Sequence, residues 1–385
     1  MIPYGRQDIS QDDIDAVVAV LRSDFLTQGP VVPAFEAAIC AATGAAHAVA
    51  VNSATSALHI ACLALGLGPG DLLWTVPNTF VASANVGLLC GAEVDFVDID
   101  PDTYCMCARK LAIRLEAAAQ AGRLPRVIMP VAFAGQSADM ARIAALARPH
   151  GVAIIEDASH AIGATYRGRP VGCGDHADIT VFSFHPVKIV TTAEGGAAVT
   201  QDAELAYRMG LYRSHGVTRD PARMVAAQGQ GGWYYEQVAL GLNYRMTELQ
   251  AALGLSQMGR LAEFVTRRHA LAARYDRLLA GLAVSRPAQD PSGYSALHLY
   301  PVQVADRARV FAGLRAAGIG VNVHYIPVHT QPFWQGRGYA RGQFPVAEAY
   351  YDHAISLPLY AGLTDADQDQ VVAALAALVG PAVAV

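Results

Sequence analysis

The sequence predicts an α/β protein with a large, mostly parallel sheet, followed by a smaller α/β domain. Short apolar segments alternate with amphipathic helical patterns over the first two-thirds of the chain, as in parallel sheets covered by helices on both faces. A hydrophobic fraction of 53% with 16% charged residues indicates a compact globular protein, and 385 residues exceed one minimal domain. We therefore expect a large domain over residues 1–250, then a long linking helix and a small domain over residues 251–385.

The period of the apolar residues predicts each element in order. Two amphipathic helices come first, at 12–22 and 33–43. Buried strands are then predicted at 47–51, 71–76, 93–100, 126–131, 152–157 and 178–184, with helices between them at 55–65, 81–90 and 139–150. A Gly-rich segment at 228–237 is expected to be a loop. Thr247 and Gln250 form a capping box that begins a long helix reaching about Leu282. After Ser285, strands are predicted at HLYPVQV and GVNVHYI, before an Ala-rich C-terminal helix.

Charge, apolar run length and cysteine usage exclude several functional classes. The net charge is −5 without a basic block, so no nucleic acid partner is expected. The start MIPYGRQDIS does not resemble a secretory signal, and the apolar stretches are too short to span a membrane, so no membrane association is expected. Six scattered cysteines suit a reducing cytoplasm, where we expect the protein. Cys105 and Cys107 lack the further ligands of a zinc site, so no metal is expected.

The rarity of lysine in this chain indicates a candidate catalytic amine. The chain has 28 Lys and Arg residues, of which only Lys110 and Lys188 are lysines. Arginine stays protonated, whereas a lysine amine can lose its proton and attack a carbonyl carbon. Lys110 lies in a polar helical stretch and is expected to be a solvated surface charge. Lys188 lies in the apolar run VFSFHPVKIVTT, where an unpaired ammonium is costly, so it is the candidate nucleophile.

Four polar clusters follow predicted strands, at the sheet edge where open α/β proteins bind ligands. The small residues 52–56 begin a helix, whose N-terminus favours a phosphate, although a serine there also serves as a plain N-cap. Asp157 ends a buried strand and needs a cation, either a protonated pyridine nitrogen or a structural partner. His160 either bonds the same ligand or is a core histidine.

The other two clusters add an amine and an aromatic ring. Ser183 and Lys188 follow the strand at 178–184, so the serine suits a phosphate and the lysine a carbonyl carbon. Phe80, after the strand at 71–76, either stacks on a flat heterocycle or belongs to the core. Together the four clusters offer an anion-binding helix N-terminus, an aromatic ring for stacking, a carboxylate and an amine. Pyridoxal phosphate requires this set of groups.

The segments that carry these clusters resemble one known family. NSATSAL, TVPNTFVASAN, IIEDASHAIGA, VFSFHPVKIVTTAEGGA, YRSHGV and LNYRMTELQAALGLSQM are similar, in the same order, to signature segments of the DegT/DnrJ/EryC/StrS sugar aminotransferases. The resemblance spans the whole chain. It implies the aspartate-aminotransferase-like architecture of fold type I, pyridoxal 5′-phosphate as cofactor, and a homodimer with active sites at the subunit interface.

The resemblance also assigns roles to individual residues. It implies that Lys188 carries the cofactor as a Schiff base and that Asp157 pairs with the pyridine nitrogen. Phe80 matches the stacking aromatic and His160 the neighbour of the ring hydroxyl. The phosphate contacts that it implies are Ala54, Thr55 and Ser183, with Asn243 reaching the phosphate from the neighbouring subunit. Family members with histidine in place of the lysine are dehydratases, so Lys188 favours transamination.

Within the family, NSATSAL, SFHPVKIVTTAEGG and AALGLSQ are most similar to the transaminases of pseudaminic acid biosynthesis. These enzymes move the amino group of L-glutamate to C4 of a UDP-linked 4-keto sugar. Candidate substrate contacts are Thr27, Gln28, His185, His215 and His324, with the segments 27–29, 215–216 and 324–329 to which four of them belong. His324 and His329 also suggest a metal site, but the segment that contains them offers no third ligand, so a metal is not expected there.

Three alternatives stay open at this point. A dinucleotide-dependent dehydrogenase is suggested by the glycines at 66–70, but they follow a helix and precede a strand, the reverse of that fingerprint. A non-catalytic protein that binds the cofactor or the sugar as a regulator is a second. The third is an aminotransferase for another 4-keto or 3-keto sugar, linked to UDP or dTDP.

Overall fold

The computed structural model of the chain describes residues 1–226 and 231–382. Its helices are α1 (Gln11–Leu21), α2 (Val31–Thr43), α3 (Ala54–Ala64), α4 (Ala82–Leu89), α5 (Ala108–Gln120), α6 (Met140–Ala147), α7 (Ala203–Arg213), α8 (Glu248–Met258), α9 (Leu261–Leu278), α10 (Arg307–Ala316), α11 (Pro332–Gln335), α12 (Pro345–His353) and α13 (Asp365–Val379). Its strands are β1 (His47–Val51), β2 (Leu72–Thr75), β3 (Glu93–Phe96), β4 (Val127–Ile128), β5 (Ala153–Asp157), β6 (Thr165–Tyr166), β7 (Arg169–Pro170), β8 (Ile179–Ser183), β9 (Gly196–Thr200), β10 (Val217–Thr218), β11 (Glu236–Gln237), β12 (Gly293–Tyr294), β13 (Tyr300–Gln303) and β14 (Ala354–Leu357).

A seven-stranded sheet in the order β1-β9-β8-β5-β4-β2-β3 forms the centre of the molecule. Strands β8, β5, β4, β2 and β3 pair in parallel, and β9 runs antiparallel to both of its neighbours, β8 and β1. The predicted α/β fold with a mostly parallel sheet is therefore confirmed. Each strand predicted before residue 190 lies at its predicted place, because its Val, Ile and Leu side chains are buried between the covering helices.

Strand β9 was not predicted, because its sequence, GAAVT, lacks the β-branched and aromatic residues that mark strands. All five of its residues are buried. Small side chains at this position let the helix α3 pass close to the sheet, since a Cβ atom on Gly196 would lie 2.5 Å from the backbone nitrogen of Ala54. This approach brings the N-terminus of α3 to the edge of β9.

The predicted long helix from Thr247 is two helices. Its start is confirmed, because the Thr247 hydroxyl accepts from Gln250 N and the Gln250 side chain accepts from Thr247 N. It ends at Met258, and α9 begins at Leu261 after Gly259 and Arg260. Glycine disfavours helix continuation, and the Arg260 side chain binds Asp8 and Asp13 near α1. Helix α8 packs on α1 and α2, whereas α9 packs on α13. The start of α9 still contributes to the core around the central sheet through Phe264 and Val265, and its later turns bury Tyr275 in a second core.

A second hydrophobic core is formed by Ile2 together with residues between 271 and 375, including side chains of α9, β13, α10, β14 and α13. The predicted strand HLYPVQV is confirmed as β13, which pairs antiparallel with β14, a strand that was not predicted. The predicted strand GVNVHYI is wrong, since this segment makes only the isolated bridge Asn322 to Ser356. The domain limit at residue 250 stays a prediction.

Two smaller predictions are corrected. Of the predicted loop at 228–237, residues 228–230 lie outside the described residues, and residues 236–237 form β11, which pairs with β10. Lys110 is half-buried rather than fully solvated, because its Nζ pairs with Asp98 at 2.6 Å.

Within the described ranges, no helix is both long and apolar enough to cross a membrane.

Candidate active site

Lys188 lies in the loop that follows β8, at the carboxyl edge of the parallel strands. The loop is a tight turn, closed by a hydrogen bond of 2.8 Å from Lys188 N to His185 O. Phe184 accepts from Thr192 N and Thr191 Oγ1 on the way back to β9. The Lys188 side chain lines a cavity of about 580 Å³. Burial lowers the pKa of Lys188 to about 8, although the negative charge of Asp157 opposes this shift. The amine is therefore reactive close to neutral pH.

Asp157 ends β5, the strand next to β8, and lines the same cavity. Its side chain is buried, and it accepts hydrogen bonds from Ser83 Oγ at 2.7 Å, from Ser159 Oγ at 2.5 Å and from Ser159 N at 3.2 Å. In the part of the chain that the structure describes, no basic side chain forms an ion pair with it within 4.0 Å. A buried carboxylate held by three donors is ready to receive a cation from a ligand.

The N-terminus of α3 lines the same cavity as Lys188. Ser53 caps the helix by accepting from Ser56 N at 3.1 Å, so the plain capping interpretation of this serine is correct. The capping does not exclude an anion, because Ala54 and Thr55, in the first helical turn, also line the cavity. Ser183, the last residue of β8, is buried beside them and lines the cavity as well.

Phe80 stands at the wall of the cavity between β2 and α4. Its side chain is 59% exposed, so it is not a core residue. Its ring lies 6.4 Å from the ring of Tyr325, measured between centroids. An exposed aromatic face at a polar cavity suits a flat ligand.

The structure brings nine of the predicted site residues together and leaves four outside. The nine that line the cavity are Ala54, Thr55, Phe80, Asp157, His160, Ser183, His185, Lys188 and His324. The four that do not line it are Thr27, Gln28, His215 and Asn243. All four are exposed, on two neighbouring segments of the surface. Thr27 bridges to Thr247, and His215 N donates to Leu242 O.

Sequence reasoning missed three cavity residues from the extreme N-terminus and the C-terminal part of the chain, Tyr4, His298 and Asn322, whereas Tyr325 lies within the predicted segment 324–329 and also lines the cavity. Tyr325 bonds His160, with 2.9 Å between the hydroxyl and Nε2, and the His298 ring lies 4.5 Å from the His160 ring. Burial, together with the charge on Lys188, lowers the pKa of His160 and of His298 well below the ordinary value, so both imidazoles are neutral. No local sequence pattern marks Tyr4, His298 or Asn322 as site residues, since they reach the cavity through tertiary contacts alone.

His324 and His329 do not form a metal site. His324 Nδ1 lies 2.8 Å from Ser356 Oγ, whereas His329 Nε2 bonds Glu348 at 2.9 Å in a separate buried pair. Burial also lowers the pKa of His324 to about 3. Among the residues described, no group of three His, Cys, Asp or Glu side chains is arranged to hold a metal ion.

The donor set fits pyridoxal phosphate. A carboxylate without a cation, an amine with a lowered pKa and a helix N-terminus face one cavity. The buried His160 Nδ1 also has no hydrogen-bond partner within residues 1–226 and 231–382, as expected of a group that bonds a ligand. Each functional group of the cofactor therefore has a counterpart in the lining.

Comparison with known proteins agrees with this chemistry. The family model for the DegT/DnrJ/EryC1/StrS aminotransferase family matches residues 7–376. The spore coat polysaccharide biosynthesis protein SpsC of Bacillus subtilis (strain 168) is 39% identical, over 97% of this chain and 96% of its own length. The UDP-4-amino-4,6-dideoxy-N-acetyl-beta-L-altrosamine transaminase of Campylobacter jejuni is 36% identical, over 94% of this chain and 93% of its own length.

Solved structures show the same similarity. The PLP-form of Spr1654 from Streptococcus pneumoniae superimposes with a TM-score of 0.89 at 30% identity and covers 98% of both chains. Helicobacter pylori PseC, an aminotransferase involved in the biosynthesis of pseudoaminic acid, superimposes with a TM-score of 0.87 at 30% identity, over 98% of this chain and 99% of its own. These matches span both cores, so they extend beyond the cavity to the whole fold. The chain therefore belongs to the DegT/DnrJ/EryC1/StrS aminotransferase family and is a pyridoxal-phosphate-dependent sugar aminotransferase.

Proposed function

We propose that the protein transfers the amino group of L-glutamate to C4 of a UDP-linked 4-keto-6-deoxy-N-acetylhexosamine. The product is UDP-4-amino-4,6-dideoxy-N-acetyl-β-L-altrosamine, a precursor of pseudaminic acid. The observation that carries the chemistry is that Lys188 and Asp157 line one cavity at the carboxyl ends of β8 and β5. The substrate is supported by the 36% identity to the Campylobacter transaminase and by the similarity to Helicobacter PseC.

Bound pyridoxal phosphate supplies an aldehyde for covalent attachment and a ring that accepts electrons. We assign the attachment to Lys188, because burial leaves a large share of its amine unprotonated near pH 8. Once released, the same amine moves a proton at Cα of the amino donor and, in the second half of the reaction, at C4 of the sugar. Asp157 holds the ring nitrogen in its protonated form, and Phe80 supports the ring face.

The phosphate position that we propose is the N-terminus of α3. Ala54 and Thr55 offer backbone N–H groups, and Ser183 a hydroxyl, at the edge of the cavity. His160 is assigned to the ring hydroxyl. His185 and His324, which line the cavity, are assigned to the sugar.

We further propose a homodimer in which a second copy of the chain completes each site. Support comes from exposed apolar side chains that surround the four predicted residues outside the cavity. Those that flank Thr27 and Gln28 include Phe25 and Leu26, which are 53% and 50% exposed, and those near His215 and Asn243 include Leu240, which is 84% exposed. Apolar surface of this kind marks an interface. In the dimer, Asn243 of one copy is assigned to the phosphate bound by the other.

A substrate panel tests the proposal. The protein is incubated with pyridoxal phosphate, L-glutamate and a set of UDP- and dTDP-linked keto sugars, and products are identified by mass. We expect amination of the UDP-4-keto-6-deoxy-N-acetylhexosamine at least tenfold faster than that of any other sugar. Amination of a different keto sugar alone would reject the substrate. If no sugar is aminated and glutamate does not bleach the cofactor band, the protein is a binding protein and the catalytic assignment is wrong.

A further inference from the structure

The two ring nitrogens of His160 have different surroundings. Nε2 lies 2.9 Å from the hydroxyl of Tyr325. Nδ1 is buried and has no hydrogen-bond partner in the described part of the protein. His160 is only 5% exposed, so bulk water does not replace the missing partner. The ring therefore has one satisfied nitrogen and one that is unsatisfied in the protein alone.

The charges around His160 keep it neutral. Burial is the main cause of its lowered pKa, and the positive charge of Lys188 acts in the same direction. The neighbouring His298 is also neutral for the same reasons, with Arg268 adding to the effect. A neutral imidazole carries one hydrogen, so the hydrogen of His160 is on either Nδ1 or Nε2.

Tyr325 decides between the two tautomers. Burial raises the pKa of Tyr325, so its phenol keeps the proton. Among the described residues, His160 Nε2 is the single hydrogen-bond partner of its hydroxyl. Because a buried hydroxyl donates its hydrogen where an acceptor is present, the O–H of Tyr325 donates to Nε2. Nε2 then serves as the acceptor, and the hydrogen of the imidazole is on Nδ1.

Tyr325 is itself held in place from the other side of the cavity. Its backbone N–H donates to Oδ1 of the fully buried Asn78 at 3.2 Å. Its ring packs against Phe133 and Phe80, with centroid distances of 6.4 Å to each. The hydroxyl is thus fixed relative to His160 by contacts that involve neither the lysine nor Asp157.

We propose that Tyr325 is a positioning residue for His160: it fixes the tautomer with hydrogen on Nδ1, so that His160 donates a hydrogen bond to an anionic oxygen of the bound ligand. The phenolate oxygen of pyridoxal phosphate is such an oxygen. The identity of the ligand rests on the proposed function, whereas the tautomer rests on the protein alone.

The tautomer is measurable by NMR of protein labelled with ¹⁵N in histidine, using two-bond ¹H–¹⁵N correlations. His160→Gln identifies the signal. We expect the Nδ1–H form in the wild type, with and without pyridoxal phosphate, and a shift toward the Nε2–H form in Tyr325→Phe. Tyr325→Phe should also weaken pyridoxal phosphate binding to the apoprotein about fivefold or more, since the donor is no longer fixed. Tyr350→Phe is the matched control, because Tyr350 donates to His324 O at 2.9 Å and does not line the cavity.

The Nε2–H form in the wild type would overturn the proposal, and so would an unchanged His160 signal in a folded Tyr325→Phe protein. If that variant does not fold, the wild-type spectrum alone still decides. Failure of the aminotransferase assignment is distinguishable, because it appears in the substrate panel and leaves the tautomer of the apoprotein unaffected.

Discussion

Ser83, in the first turn of α4, donates a hydrogen bond of 2.7 Å to Oδ2 of Asp157 at the end of β5. The bond joins the helix that follows Phe80 to the carboxylate at the base of the cavity, and Ser159 holds the other oxygen at 2.5 Å. Asp157 is consequently fixed in direction before any ligand binds. A preoriented carboxylate costs little reorganisation when a cation arrives.

Asp157→Asn should lower kcat/KM by about 150- to 5,000-fold, because loss of one partner of a buried ion pair, here the proposed pair with the ring nitrogen, costs about 3–5 kcal/mol. Ser83→Ala keeps the charge and removes one of the bonds that orient it, so we expect a decrease of about fivefold, as for a hydrogen bond worth about 1 kcal/mol. Steady-state kinetics on both variants measure the two effects. Equal losses in the two variants would contradict a role for the charge itself.

Lys188→Arg should abolish turnover and the visible absorbance of covalently bound cofactor, since a guanidinium does not condense with the aldehyde. Lys110→Arg is the control, because it keeps the ion pair with Asp98 and is remote from the cavity lining. Borohydride reduction of the wild type followed by peptide mapping should place the label on Lys188. A label on another residue, or appreciable activity in Lys188→Arg, would refute the assignment.

Attachment of the cofactor should depend on pH with a midpoint of about 8, the pKa to which burial lowers Lys188. Only the unprotonated amine attacks, so the rate of attachment to the apoprotein rises as the pH increases through this value. The charge of Asp157 raises this pKa, so Asp157→Asn should move the midpoint to lower pH. Stopped-flow absorbance between pH 6 and pH 10 follows the reaction. A midpoint above 10, typical of a solvated lysine, would contradict the effect of burial.

Glu156 should make the protein less stable as the pH rises. Its buried carboxyl bonds Ser137 at 2.6 Å, and burial raises its pKa to about 7 from 4.5. The folded state therefore binds a proton that the unfolded state has lost, so the stabilisation present at low pH disappears between about pH 4.5 and 7.

Glu156→Gln removes this titration and keeps an acceptor for Ser137. Relative to the wild type, its free energy of unfolding should increase between pH 5 and pH 8 by a difference on the order of 3 kcal/mol, from about 1.4 kcal/mol per unit of pKa. Urea unfolding at both pH values measures it. Glu93→Gln, at an exposed carboxylate, is the control and should show no such difference. A wild type and variant with parallel pH dependence would show that Glu156 titrates normally.

The cavity residues Phe80, Asp157, Ser183 and Lys188 were predictable because each ends a predicted strand or follows one closely in sequence. Lys188 was found from the scarcity of lysine and its apolar surroundings, and the expectation that strand ends meet at one edge of a parallel sheet placed Asp157 near it. His298 was not predicted, and neither was the contact of Tyr325 with His160, because both come from the part of the chain beyond residue 290 through contacts without a sequence signal. GVNVHYI has the alternation of a strand, yet Tyr325 N bonds the Asn78 side chain in place of a neighbouring strand.

The break between α8 and α9 also could not be predicted from local sequence. The apolar period continues through Gly259 and Arg260, so local sequence indicates one helix. The ion pairs of Arg260 with Asp8 and Asp13 join residues about 250 positions apart, and only the folded chain reveals them. Periodicity reports which face is buried but not against which partner.

Strand β9 joins distant parts of the chain, since it pairs His47 with Thr200 and places Gly196 against the start of α3. During synthesis, the first 190 residues contain both the start of α3, where we propose that the phosphate binds, and Lys188, but not the strand that packs against the start of α3. Vitamin B6 capture should thus be a late event in the life of each new polypeptide, after this long-range pairing has formed. Pyridoxal phosphate would then stabilise only chains in which the sheet is complete, because a ligand that binds the folded state alone increases the free energy of unfolding.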